Sequence, residues 1–115
     1  MAFTDTESKG IEKAVEAFLA LRRPRPEIRD QVDLGWQTDA QSVVLFETRA
    51  VFDNPSRKIE HLIAKTTYNR RQNLWKIFWL RQDMKWHGYT PHLHVKSIDV
   101  FLKVVDEDTY SCFWG

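Results

Sequence analysis

The sequence predicts an α+β fold, an antiparallel meander of four or five strands flanked by an N-terminal and a C-terminal helix. Three observations predict it. A helical apolar period fills the first twenty or so residues. A two-residue alternation, cut by polar turns, runs from Val32 towards Tyr89. A second helical stripe starts after Ser97. The 115 residues suffice for one domain, 1–115, and 43% of them are hydrophobic, with only four Gly and four Pro. That composition excludes disordered, collagenous and low-complexity classes.

Ile11, Val15, Phe18 and Leu19 recur at helical spacing, with Ala14, Ala17 and Ala20 as good helix formers between them. Thr4 and Glu7 have the spacing of a capping box. Arg23-Pro24-Arg25-Pro26 ends the helix, because proline lacks the N–H and restricts the residue before it. Val32, Leu34 and Trp36 then alternate with polar residues and Gly35 in a first strand, and Thr38–Gln41 reads as a turn. Ser42–Phe52 is a second strand, with Val44, Phe46, Ala50 and Phe52 on one face, and with Val43, Leu45 and Val51 mixed with Glu47 and Arg49 on the other. Asp53-Asn54-Pro55-Ser56 is the next turn. Lys58–Asn69 is a third strand, Arg70–Asn73 a turn, and Leu74–Leu80 a fourth strand apolar on both faces, hence central or covered twice. Gln82–Met84 breaks the alternation, Lys85–Tyr89 is a short fifth strand, and 90–96 is extended. The last helix is predicted over 98–105 with Ser97 as its cap, broken by Asp106-Glu107-Asp108. The aromatic tail Tyr110–Gly115 is expected to pack back on the body.

Charge is unevenly placed. The net charge is only +1, yet residues 57–89 carry eight Lys and Arg against Glu60 and Asp83, a local +6 between weakly acidic flanks. The same segment holds Tyr68, Trp75, Phe78, Trp79, Trp86 and Tyr89. Such asymmetry speaks to partners rather than to fold. No apolar run approaches the roughly 20 residues of a membrane span, and the acidic start Asp5-Thr6-Glu7 is unlike a signal peptide. Cys112 has no second cysteine to pair with. A soluble, reduced, cytoplasmic protein is expected, with no membrane association.

The second half carries a distinctive pattern. It runs Trp75-x-x-Phe78-Trp79-x-Arg81-x-Asp83-x-Lys85-Trp86-His87-x-Tyr89, then Val105-Asp106-x-Asp108, then Cys112-Phe113-Trp114-Gly115. With Val44–Glu47, Arg49 and Ala64-Lys65-x-Thr67-Tyr68, it resembles a bacterial family of small proteins catalogued as domain of unknown function 3024. The resemblance covers nearly all the chain after about residue 30. It implies a compact bacterial cytoplasmic protein and implies no activity.

The residues themselves offer several functional readings. A sheet face with aromatics among cations would stack bases and neutralise phosphates of a single strand or other polyanion. Lys65, Arg70, Arg71, Arg81 and Lys85 would supply the charge and Tyr68, Trp86 and Tyr89 the rings, with His87 in the same segment. Against this, Trp75, Phe78 and Trp79 read as core, and arginines in a turn need no ligand. His87 as general base, oriented by Asp83 with Tyr89 beside an oxyanion, would make a small catalytic site. No nucleophile is evident, and Cys112 in its apolar tail reads as inert. His92 and His94, with His87 upstream, have the residue type of a metal site but lack a carboxylate or Cys at a usual spacing. No cofactor motif is present and no metal or cofactor is expected. Arg49 with Glu47 and Arg81 with Asp83 read as surface ion pairs. Five tryptophans in so short a chain, with Trp36 and Trp114 near element ends as anchors, make a non-enzymatic binding domain for a protein partner or for itself the leading expectation. An open strand edge would serve a homodimer.

Overall fold

The structure is a computed structural model that describes residues 2–114. Two helices lie on one face of an antiparallel sheet. Helix α1 (Asp5–Arg22) begins at a complete capping box. Thr4 Oγ1 accepts from the Glu7 N–H at 3.2 Å, and Glu7 Oε1 accepts from the Thr4 N–H at 2.9 Å. Its buried stripe is Ile11, Val15 and Leu19, one residue per turn. A short 3₁₀ turn at Pro26–Ile28 leads to β1 (Val32–Asp39). Then come β2 (Ser42–Val51), β3 (Asn54–Asn69), β4 (Leu74–Leu80), β5 (Trp86–Gly88), a 3₁₀ turn at Thr90–His92, β6 (His94–Val95) and α2 (Ile98–Glu107).

The sheet order is β1-β2-β3-β4-β5, and β6 also pairs with β4, on the side away from β3. The central place expected for β4 follows from these pairings. Its inward residues Trp75 and Ile77 join Val43, Leu45, Ala64 and the helical residues Val15, Leu19, Phe101 and Val105 in one core. The opposite side of the sheet carries no helix among the described residues.

Four details differ from the sequence expectation. Strand β2 ends at Val51, so Phe52 lies in the turn and is fully exposed at 101%, and the helices cover the Val43 and Leu45 face of the strand. Alternation alone left two apolar faces open, and the helices cover only one. The β2–β3 turn is Phe52-Asp53, so β3 begins at Asn54 and absorbs the expected turn residues as a bulged strand end. Residues 90–96 are not extended throughout: Thr90–His92 form a 3₁₀ turn, which the fixed φ of Pro91 in its first turn favours. Helix α2 runs on to Glu107, and only Asp108 stops it, by turning left-handed at φ 40°.

Asp108 does more than end α2. Its carboxylate accepts three tail N–H groups: Oδ1 from Cys112 at 2.8 Å and Phe113 at 3.1 Å, and Oδ2 from Trp114 at 2.9 Å. The tail is thereby folded back as expected, with Phe113 buried 4.9 Å from Tyr89 and Trp114 Nε1 donating to the Val105 carbonyl at 2.7 Å. Gly115 lies outside the described residues. Charged hydrogen bonds of this kind are each worth about 1.5–3 kcal/mol. Asp108→Ala is therefore expected to cost about 2–3 kcal/mol in urea unfolding and to expose Trp114, read as a red shift of its emission. Asp108→Asn, which keeps one acceptor oxygen, should cost less than Asp108→Ala; equal losses would mean that the carboxylate does not order the tail.

Candidate functional site, the open face of the sheet

Strand alternation and the pairing register place one set of side chains on the face opposite the helices. From β4 these are Lys76, Phe78 and Leu80. Across the ladders they meet Lys65 and Leu62 of β3, Val44 and Phe46 of β2, and Trp86 of β5. Except for buried Val44, all of these are half-buried, wetted on one side and supported by their neighbours on the other. Phe46 lies over the backbone of Gly35, where a Cβ would come within 2.8 Å of the ring. An extra residue in β3, Ile63, interrupts the β2–β3 ladder between the Leu45–Ala64 and Phe46–Leu62 pairs.

Two lysines stand over these rings. Lys65 Nζ is 5.4 Å from the centre of Phe78 and 5.9 Å from that of Trp86, and Lys76 Nζ is 5.1 Å from Phe78. Ring faces carry the negative part of the aromatic quadrupole and attract such cations. Neither lysine forms an ion pair among the described residues. The face thus combines planar apolar surface with positive charge that no carboxylate neutralises.

Of the nine sequence candidates, Lys65 and Trp86 meet on this face. The rest are dispersed. Tyr68 packs on the helix side, 4.9 Å from Trp75, and its hydroxyl donates to Asn73 Oδ1 at 2.7 Å. Arg70 reaches back to the start of the chain, donating to Glu7 Oε2 at 2.6 Å and to the Ala2 carbonyl at 2.8 Å. Arg71 is exposed in the turn. Arg81 lies 5.5 Å from the Trp79 ring, and Lys85 is exposed at the β4–β5 turn. Tyr89 is only 1% exposed and belongs to the core. Lys76, Phe78 and Phe46 were not singled out as ligand-facing. The alternation Lys76-Ile77-Phe78 held the clue, but which parity faced away from the helices was not readable from one strand.

The catalytic grouping assembles in part. His87 Nε2 lies 2.9 Å from Asp83 Oδ2, both partly exposed, beside an open cleft of about 510 Å³ lined by Trp79, Arg81, Gln82 and Asp83. The hydrogen bond with His87 holds the Asp83 carboxyl below its ordinary range. Buried Tyr89 faces Phe113 rather than this cleft. Burial raises the Cys112 thiol above its usual value, away from thiolate character. His92 and His94 are exposed on separate elements, and no three His, Cys, Asp or Glu among the described residues are grouped to hold a metal ion. No helix among them is long and apolar enough to cross a membrane. Of the proposed anchors, Trp36 Nε1 donates to Glu16 at 2.9 Å, and Trp114 lies under the Arg22 guanidinium at 4.0 Å. Both are engaged within the chain.

These features define a class: an α+β protein that buries one side of its sheet under two helices and leaves the other side aromatic, basic and uncovered. The chain belongs to the family described as domain of unknown function 3024, which it matches over residues 3–115. No curated protein and no solved structure matches it.

The Arg70–Glu7 contact has a structural consequence. The hydrogen bond from Arg70 pulls the Glu7 carboxyl from its ordinary 4.5 down to about 2. A carboxylate depressed on folding stabilises the protein fully above its unfolded pKa, and that stabilisation is lost as pH falls towards the folded value. Melting temperature should therefore fall between about pH 4.5 and 2. Glu7→Gln or Arg70→Ala should lower it at neutral pH and flatten that decline. Asp33, depressed by Arg23, leaves a residual slope. An unchanged profile in both variants would show that the pair does not couple folding to pH.

Proposed function

We propose that this protein is a non-enzymatic binding protein that takes single-stranded nucleic acid on the open face of its sheet. The observation that carries the reading is the placement of Lys65 and Lys76 over Phe78 and Trp86, without carboxylate partners and on a surface that no helix covers among the described residues. Extended single strands present flat bases and regularly spaced phosphates. Bases stack on aromatic faces with little regard to sequence, each worth about 1–3 kcal/mol, and cations beside the rings neutralise the backbone. The lysine ammonium groups shift aside at small cost because their stems are flexible. Exposed Lys85, next to Trp86 in sequence, extends the positive field at one end. A cytoplasmic, bacterial setting, where such strands are encountered, is part of the same reading.

The test is fluorescence anisotropy of labelled single- and double-stranded oligonucleotides of mixed sequence across a salt series. Single strands should bind more tightly than duplexes, and binding should weaken as salt rises. Trp86→Ala should weaken it about tenfold. Lys65→Ala and Lys76→Ala should each weaken binding and reduce the salt slope by about 0.7. Arg71→Ala, remote in the turn, should change little. Absence of binding at low salt, or equal effects of Arg71→Ala and Lys65→Ala, would overturn the reading.

A further inference from the structure

Strand β3 is longer than its neighbours can cover. β4 pairs with it only over Ala64–Asn69, and no strand lies along its outer edge from Asn54 to Ile63 among the described residues. β2 and β1 back it on the inner side as far as the Val32–Arg49–Ile59 row, β2 alone continues the arm beyond, and Ile59 is 45% exposed. Such an edge offers unpaired N–H and C=O groups to any extended chain.

The charges along the edge select its occupant. Lys58 and Glu60 are two residues apart and share the open-face side, while Ile59 lies between them on the other. Neither forms an ion pair among the described residues, in contrast to Glu47 and Arg49 on the adjacent strand, which pair at 2.5 Å. Lys58 Nζ donates only to the neutral carbonyl of Asp30. Two copies of this edge pair antiparallel about a two-fold axis perpendicular to the sheet when a residue opposes its own equivalent, since opposed side chains must share a face. Centring on Ile59 sets Lys58 against Glu60 of the second copy, and Glu60 against its Lys58. Centring one residue either way opposes Lys58 to Lys58 or Glu60 to Glu60. Only one register is therefore charge-complementary, and Pro55, without an N–H, ends the ladder towards the tip.

We infer that this edge of β3 joins two copies of the chain into a homodimer, centred on Ile59 with reciprocal Lys58–Glu60 pairs. The axis keeps both open faces on the same side, so the dimer displays two aromatic-basic platforms in one continuous surface. The dimer itself does not depend on what those platforms bind.

Sedimentation velocity of the full chain tests the inference without nucleic acid. The native protein should be dimeric at about 100 μM. Lys58→Glu and Glu60→Lys, each placing like charges opposite one another, should each weaken the dimer about tenfold or more. Both sites are exposed, and unchanged circular dichroism verifies that the variants fold. The decisive step is mixing them. Lys58→Glu chains and Glu60→Lys chains complement each other at every pair, so the mixture should form a heterodimer that neither forms alone. A native monomer at that concentration would overturn the proposal, as would a dimer indifferent to either reversal or a mixture that stays monomeric. Dimerisation without oligonucleotide binding would leave this proposal standing and remove the functional reading; the reverse result would do the opposite.

Discussion

Burial on one side of the sheet is the constraint from which the rest follows. The described residues form two α-helices, and both lie on the same face. That face receives Val43, Leu45, Ala64, Trp75 and Ile77 from the strands and Ile11, Val15, Leu19, Phe101 and Val105 from the helices. Removal of this apolar surface from water is the main favourable contribution to folding. Every other element is arranged around it. The capped start of α1, the left-handed stop of α2 and the tail held by Asp108 all keep the two helices seated over β4 and β2. Arg22 joins the two helical ends, pairing with Asp106 at 2.8 Å while its guanidinium covers Trp114.

The same constraint produces the open face. The helices of the described residues cover one side of the sheet, and side chains on the other must tolerate water. Phe46, Phe78 and Trp86 do so in a cluster, shielded in part by lysine stems. A purely structural solution would place ion pairs on that face, as Glu47 and Arg49 form on the helix side of the arm. The open face instead keeps Lys65 and Lys76 without carboxylate partners among the described residues.

Much of the fold was readable in the sequence because local chemistry determines it. Thr4 with Glu7, Pro24, the Arg70–Asn73 turn and Ser97 mark their boundaries through capping and backbone geometry. What failed was non-local. Phe52 continues the alternation of the second strand, and only the position of the helices shows that the arm extends beyond them. The functional segment was legible as composition and not as a surface. Its cations are shared among the open face, the chain start held by Arg70 and the β4–β5 turn. Tyr89 reads as a surface ring in an extended segment, and the tail that buries it comes from residues more than twenty positions later.

The extra residue at Ile63 separates two parts of one strand. On the body side of it, Lys65 and Thr67 turn towards the open face; on the arm side, Leu62, Glu60 and Lys58 do. Odd and even positions exchange roles across a single residue. The bulge therefore acts as a phase shifter. Removing Ile63 would set Leu62 directly beside Ala64 and still opposite Phe46, so the ladder would run without interruption and Leu62, Glu60 and Lys58 would keep the open side. The bulge thus takes up one surplus residue where it stands, and the charge pattern of the arm keeps its aim whether or not that residue is present.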